Sequence, residues 1–255
     1  MFPWKSMKVY KSASICGRIS EWQLTCKLID LIGMEFTTEI KKATDTIYQK
    51  ISKVLPEIEW PVHAPYIHKI NKLKKEKNAV ILAHNYQTPE IYHGVADFSA
   101  DSLALAVEAS KTSADIIVMA GVHFMAETAK LMNPHKKVLL PDMKAGCSLS
   151  SSITGKDVRL LREKYPGVPV VSYVNTSADV KAETDICCTS ANAVKIVKSL
   201  GVKKVIFLPD DYLAKYVAAQ TDIEIIAWKG TCVVHEQFNE NEINQIRKDN
   251  PGIKI

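Results

Sequence analysis

Two cysteines, Cys147 and Cys232, stand 85 residues apart at matching points of the chain. Each follows a short apolar run and a turn: Val138-Leu-Leu-Pro-Asp-Met-Lys-Ala-Gly146 before the first, Ile225-Ile-Ala-Trp-Lys-Gly-Thr231 before the second. A Pro-Gly pair that opens a further apolar run follows each cysteine by 19 residues, at Pro166-Gly167 and Pro251-Gly252. One thiolate supplied per repeat, all aimed at one centre, is a way to build a metal or iron–sulfur site. The tight Cys-x-x-Cys runs of ferredoxin-type clusters do not occur, so the repeat itself carries the signal. Three protein thiolates on a four-iron cluster leave one iron open to act as a Lewis acid. On spacing alone, isolated loop cysteines are the competing reading, and Cys147, Cys232 and His235 as three zinc ligands are another.

Other side chains gather at the same kind of position. His84 closes the apolar run Ala79-Val-Ile-Leu-Ala and could orient a carboxylate or transfer protons. Tyr86 and Tyr173 could exchange hydrogen bonds or protons, and Asn175 lies just beyond Tyr173. Ser102 and Ser190 each stand where a helix is expected to open. There a serine caps the helix, or its hydroxyl and the free N–H groups capture a carboxylate or phosphate. Cys187 and Cys188 form an adjacent pair at the expected start of the second of these helices, where a helix terminus lowers a thiol pKa; small residues packing at a helix start are the plainer reading. No Gly-x-Gly-x-x-Gly or Walker loop follows any expected strand.

The elements that must position these residues repeat. In the first copy the pattern predicts strand 79–84, a helix opening near Asp101-Ser102, strand 115–120, helix 124–132, strand 137–140 and the turn to Cys147. A capped helix at 154–163 follows. The second copy predicts strand 168–174, a helix opening near Thr189-Ser190, strand 204–208, helix 212–219, strand 223–227, the turn to Cys232 and helix 240–248. Ser102 to Gly121 and Ser190 to Pro209 both span 19 residues, and Ser102 to Phe124 and Ser190 to Tyr212 both span 22. Short apolar strands alternating with helices imply parallel sheets with right-handed crossovers. The expected fold is α/β: pseudo-symmetric, repeated three-layer α/β/α units, with ligands beyond the carboxyl ends of the strands. The expected division is an N-terminal extension and helix at 1–65, a first unit at 66–165, a second at 166–250, and at 251–255 the start of a third. Residues 35–77 carry helical spacing, interrupted by a three-proline connector at 56–65 and resumed at 66–76.

Composition bounds the class. The chain has 255 residues, 47% of them hydrophobic and 24% charged, as in an ordinary globular protein. Its net charge of +5 is modest, and the basic run from Lys69 to Lys77 lacks the interleaved aromatics of a nucleic-acid surface. No run approaches the ~18 apolar residues of a membrane span. Six cysteines without a secretory leader suit a reducing cytoplasm rather than a disulfide scaffold. The first twenty residues hold Lys5, Lys8, Lys11 and Arg18 and no acid before Glu21, a faint likeness to an organellar transit peptide; an extension ahead of a start at Met34 is the other reading.

Taken together, the motifs resemble the quinolinate synthase family, the second enzyme of bacterial de novo NAD synthesis. The resemblance is carried by Ile81-Leu-Ala-His84-Asn85-Tyr86-Gln87, Ala96-Asp97-Phe98 through Asp101-Ser102-Leu103, and Pro141-Asp142 through Cys147-Ser148. It continues in Tyr173-Val174-Asn175, Cys188-Thr189-Ser190-Ala191-Asn192-Ala193 and Gly230-Thr231-Cys232-Val233-Val234-His235. It implies three α/β units about a pseudo-threefold axis, with one cysteine of each holding a 4Fe–4S cluster. It implies condensation of iminoaspartate with dihydroxyacetone phosphate to quinolinate, with the imine supplied by L-aspartate oxidase. On this resemblance Cys147 and Cys232 are two of the three cluster ligands. His84, Ser102, Tyr173, Val174, Asn175 and Ser190 contact substrate carboxylates and phosphate, and Tyr86 assists proton transfer. The third unit and its cysteine would fall beyond Ile255. A two-unit fragment without activity, or one completed by a separate third unit, is the alternative of a different class.

Overall fold

The computed structural model describes residues 35–254, so readings that fall on residues 1–34, including Cys16, Cys26 and Met34, lie outside the described residues. The helices are α1 (Thr38–Ile51), α2 (Trp60–Glu76), α3 (Pro89–Tyr92), α4 (Ser102–Lys111) and α5 (His123–Met132), then α6 (Gly155–Lys164), α7 (Ala178–Ala182), α8 (Ala193–Ser199), α9 (Asp211–Ala219) and α10 (Glu240–Asp249). The strands are β1 (Ala79–His84), β2 (Phe98–Ala100), β3 (Ile116–Ala120), β4 (Lys137–Leu139), β5 (Val170–Tyr173), β6 (Ile186–Cys188), β7 (Lys204–Leu208) and β8 (Glu224–Ala227). They form two four-stranded sheets of the same order, β2-β1-β3-β4 and β6-β5-β7-β8, and every pairing is parallel. The repeat read from the spacing is thus a repeat of topology: two α/β units, each a parallel sheet flanked by helices.

Contacts gather residues 35–121 and 132–141 into one compact unit, and 122–131 with 142–254 into another. α5, which joins β3 to β4, therefore belongs almost wholly to the second unit. Its Glu127 Oε2 accepts the Ala178 N–H at 2.9 Å, and Lys181 Nζ lies 5.7 Å from the centre of the Phe124 ring.

In the first unit the core is built on β1, whose Ile81 and Ala83 pack with Ile51, Trp60 and Ile67 of the N-terminal helices and with Leu55 between them. In the second, Val171 and Phe207 pack on one side with Val197 and Val217, and Val170, Ile206 and Leu208 on the other with Val158 and Val180. Central strands buried on both faces read as unbroken apolar runs, which is why both sheets show in the sequence.

One device recurs in both units. Asp97 Oδ2 accepts the Ile81 N–H at 2.8 Å, and Asp185 Oδ2 accepts the Val170 N–H at 2.7 Å. Each carboxylate also pairs with a base on the helix that precedes the central strand: Lys74 at 2.8 Å and Arg162 at 2.9 Å. Each aspartate thus fixes the start of an edge strand against its neighbour.

Three sequence expectations are corrected. The proposed connector at 56–65 is helical from Trp60. Pro61 sits in the first turn, where its missing N–H has no helical partner to lose. Pro65 lies inside the helix and is buried with Trp60, Ala64 and Ile67, and that packing offsets the lost hydrogen bond. The second repeat's helix begins at Ala193 rather than near Ser190, because Asn192 turns its side chain back to accept the Thr189 N–H at 2.7 Å. Finally, Cys187 and Cys188 lie on strand β6, not at a helix start. The short elements β2, β6, α3 and α7 have no counterpart in the sequence reading, since three to five residues are too few to show a period. Among the described residues no helix is long and apolar enough to cross a membrane.

Candidate active site

In the first unit, His84 ends β1 and pairs in register with Ala100 of β2, which sets Ser102 two residues beyond that pairing. Ser102 is the first residue of α4, but the cap is Asp101, whose Oδ1 accepts the N–H groups of Leu103 and Ala104 at 3.0 and 2.9 Å. The expectation that Ser102 caps its helix is therefore corrected: a neighbouring carboxylate occupies those donors. The His84 and Tyr86 rings lie 4.0 Å apart between centroids. The Tyr86 N–H donates to His84 Nδ1 at 3.4 Å, which leaves the proton of neutral imidazole on Nε2. Burial lowers the His84 pKa, with the Asp101 charge acting the other way. Near pH 7 His84 is thus a neutral ring with one N–H to donate, suited to a carboxylate or carbonyl oxygen.

The second unit repeats the arrangement with other chemistry. Tyr173 ends β5 and pairs in register with Cys188, and Ser190 again stands two residues beyond. Burial raises the Tyr173 phenol pKa most, followed by the charge of Asp210; the Ser190 hydroxyl opposes them, and Cys188 and Cys147 add smaller upward effects. Tyr173 is therefore held as a neutral phenol. Val174 N–H donates to the Cys188 carbonyl at 2.8 Å, and Thr176 Oγ1 donates to the Tyr173 carbonyl at 3.3 Å. These bonds fix the loop that carries Tyr173, Val174 and half-buried Asn175.

Both cysteine loops belong to this second unit and are joined directly. Val233 N–H, next to Cys232, donates to Ser148 Oγ, next to Cys147, at 3.2 Å. Trp228 Nε1 donates to the Ser152 carbonyl at 3.0 Å. Burial raises the Cys147 pKa, while the backbone N–H groups of Ser150 and Leu149 act against that rise. Cys232 also raises the Cys147 pKa, by the smallest of these effects. The donor set fits two thiolate ligands of an iron–sulfur cluster. Among the described residues no group of three His, Cys, Asp or Glu side chains is placed to hold a metal ion. His235 is exposed in a short turn, and the zinc triad of Cys147, Cys232 and His235 is not formed.

Cys187 and Cys188 take no part in that pairing. Strand geometry sends their side chains to opposite faces, Cys187 exposed and Cys188 buried. Burial raises both thiols, Cys188 to about 12, so the low-pKa reading of this pair is corrected. The sequence reading also passed over Asp210 and Lys181. Lys181 Nζ bonds the Thr176 carbonyl behind the Tyr173 loop, and burial lowers its pKa to about 8, with Cys187 and Glu127 acting upward. Above pH 8 the unfolded chain holds this proton more tightly than the native one. Lys181 therefore adds stability progressively as pH rises from about 8 toward 10.5, by at most roughly 3 kcal/mol. Comparing thermal unfolding of the parent and Lys181→Met at pH values across that range should show this gain in the parent alone. Parallel curves would contradict the buried-ammonium assignment.

Comparison with known proteins gives these features a context. The family model described as "Quinolinate synthetase A protein" matches residues 68–255. Quinolinate synthase 2 of Mesorhizobium japonicum is 63% identical over 216 residues, which cover 85% of this chain and 67% of the relative. Quinolinate synthase of Sinorhizobium fredii is 60% identical over 228 residues, 89% of this chain and 64% of the relative. That of Caulobacter vibrioides is 60% identical over 224 residues, 86% of this chain and 61% of the relative. The chain thus spans about two thirds or less of the length of these relatives. With a family match over residues 68–255 and identities near 60%, the chain belongs to the quinolinate synthetase A protein family.

Proposed function

We propose that this chain carries two α/β units of a quinolinate synthase, which condenses iminoaspartate with dihydroxyacetone phosphate and releases phosphate and two waters. The observation that carries the reading is the joining of the Cys147 and Cys232 loops through Ser148 and Val233, in the same unit as the Tyr173–Ser190 pair. Cys147 and Cys232 would hold a 4Fe–4S cluster as two of its thiolates. When bound, such a cluster supplies a Lewis acid toward a substrate oxygen.

The roles of this chain's own residues follow from their states. His84 donates from Nε2 to a substrate carboxylate, and Tyr86, its ring tilted against the imidazole, is the nearby acid–base group. Ser102 and Ser190 offer hydroxyls to carboxylate or phosphate oxygens, Tyr173 donates a phenolic O–H, and Asn175 and the Val174 backbone complete the contacts. The repeat division at 66–165 and 166–250 and the supply of imine by an L-aspartate oxidase belong to the same reading. A cytoplasmic setting belongs to the same reading.

The test is quinolinate formation by the chain after anaerobic loading with iron and sulfide, with dihydroxyacetone phosphate and an imine formed in situ. His84→Ala should keep its iron and lose turnover by about a hundredfold or more; an iron-loaded parent that makes no quinolinate contradicts the reading for this chain. The count of two neighbouring thiols favours a second reading, in which a further polypeptide must complete the site. Turnover that appears only when a thiolate-bearing third unit is added selects it.

A further inference from the structure

α5 reaches two loops of the candidate site. At its start, the His123 N–H donates to the Ala145 carbonyl at 2.8 Å, two residues before Cys147. One turn on, Glu127 Oε2 accepts the Ala178 N–H at 2.9 Å, and its Oε1 lies 3.5 Å from His123 Nδ1. Ala178 is the first residue of α7, whose Ser177 cap takes the Val180 N–H and leaves that of Ala178 for another acceptor. Ala178 stands three residues beyond Asn175, which the quinolinate reading places against substrate. Between them, buried Thr176 bonds back to the Tyr173 carbonyl at 3.3 Å. The loop from Tyr173 to Ala178 thus folds back on itself and is held at its far end by Glu127.

The fold itself does not call for this bond. Ala178 follows Tyr173 by five residues, as Pro89 follows His84, and each begins the helix after its strand. Proline has no N–H, so the first unit forms the same topology with no donor to hold at this point. α7 is also anchored without Glu127: Asp179 Oδ2 accepts the Gly155 N–H at 2.7 Å, and Glu183 pairs with Arg159 at 2.6 Å. What the Glu127 bond adds is a connection from the Asn175 loop, through α5, to the Cys147 loop. We propose that Glu127 is a positioning residue: by holding the Ala178 N–H it sets Asn175 in place relative to the Cys147 loop. The use of Asn175 toward substrate rests on the quinolinate reading; its placement by Glu127 does not.

The experiment uses the full chain under reducing conditions, with isotopically labelled asparagine and alanine and the two signals assigned by Asn175→Asp and Ala178→Gly. Glu127→Ala removes the acceptor. The Asn175 signals should then move beyond their line width, and hydrogen exchange of the Ala178 N–H should quicken about tenfold or more. Glu127→Gln keeps an acceptor oxygen and should return the Asn175 signals to their parent positions. Should Glu127→Ala melt early, Glu127→Asp, one methylene too short to reach Ala178, repeats the measurement. Faster exchange at Ala178 with the Asn175 signals unmoved would make the bond an anchor for α7 alone and overturn the proposal. A Glu127→Gln chain that behaves as Glu127→Ala does would overturn it too. No turnover is read, so these outcomes are separate from whether the chain makes quinolinate.

Discussion

Cys147→Ser and Cys232→Ser are each expected to reduce iron and sulfide retained after anaerobic reconstitution to background, along with the visible absorption of the cluster. Serine offers a hard oxygen where soft sulfur is required. Changes one layer out from a metal commonly cost 10–100-fold in affinity, so loss of a ligand should exceed about a hundredfold. The two loops are joined by Val233 and Ser148, so neither variant should disturb the other's backbone. Cys188→Ala is the control. Its thiol is buried with a pKa near 12, and a thiol that stays protonated is no ligand, so iron should be retained. Equal iron in the parent and both serine variants would remove the ligand assignment.

The second large effect is expected at Gly230. A Cβ there would lie 2.4 Å from the Pro209 carbonyl oxygen and 2.4 Å from Ser152 Oγ. The first is backbone, locked by the hydrogen bonds that join β7's end to β8's, and cannot step aside. Gly230→Ala should cost on the order of 2–3 kcal/mol, or roughly 4–12 °C in Tm, and should weaken iron retention by displacing the Cys232 loop. Gly146→Ala, beside Cys147, is the matched control: its Cβ would meet nothing nearer than the Lys144 carbonyl at 3.7 Å. Equal melting temperatures for the two variants would show that the close approach at Gly230 relaxes freely.

The central strands were legible because burial on both sheet faces writes an unbroken apolar run, as in Ala79-Val-Ile-Leu-Ala and Val205-Ile-Phe-Leu. The edge strands β2 and β6 were not, since three residues with mixed burial leave no pattern. A weaker signal did exist: Asp97 and Asp185 both precede their serines by five residues, and both fix the start of an edge strand. The helix near Asp101-Ser102 opens where expected, but the one expected near Thr189-Ser190 starts at Ala193, and in neither does serine make the cap. Asp101 takes the cap beside Ser102, and Asn192 bonds backward to Thr189 instead of into its helix. The pairing of Tyr173 with Ser190 and the burial of Asp210 depend on strand register, which a single chain of letters does not display. Lys181 lies on α7, too short to show a period, and nothing in the sequence marks its ammonium as lying against the Thr176 carbonyl.

The assignment of α5 to the second unit bears on how the protein can be dissected. The polypeptide passes between the two units at 121/122, again at 131/132 and again at 141/142. No single cut releases either as a complete module. A product starting at residue 142 would lack Phe124 and Glu127, leaving the Ala178 N–H without its acceptor and the Lys181 ammonium without the Phe124 ring. Gene surgery at the repeat boundary is therefore expected to give a weakened half, whereas a permuted design that keeps the α5 segment with residues 142–254 would preserve its supports.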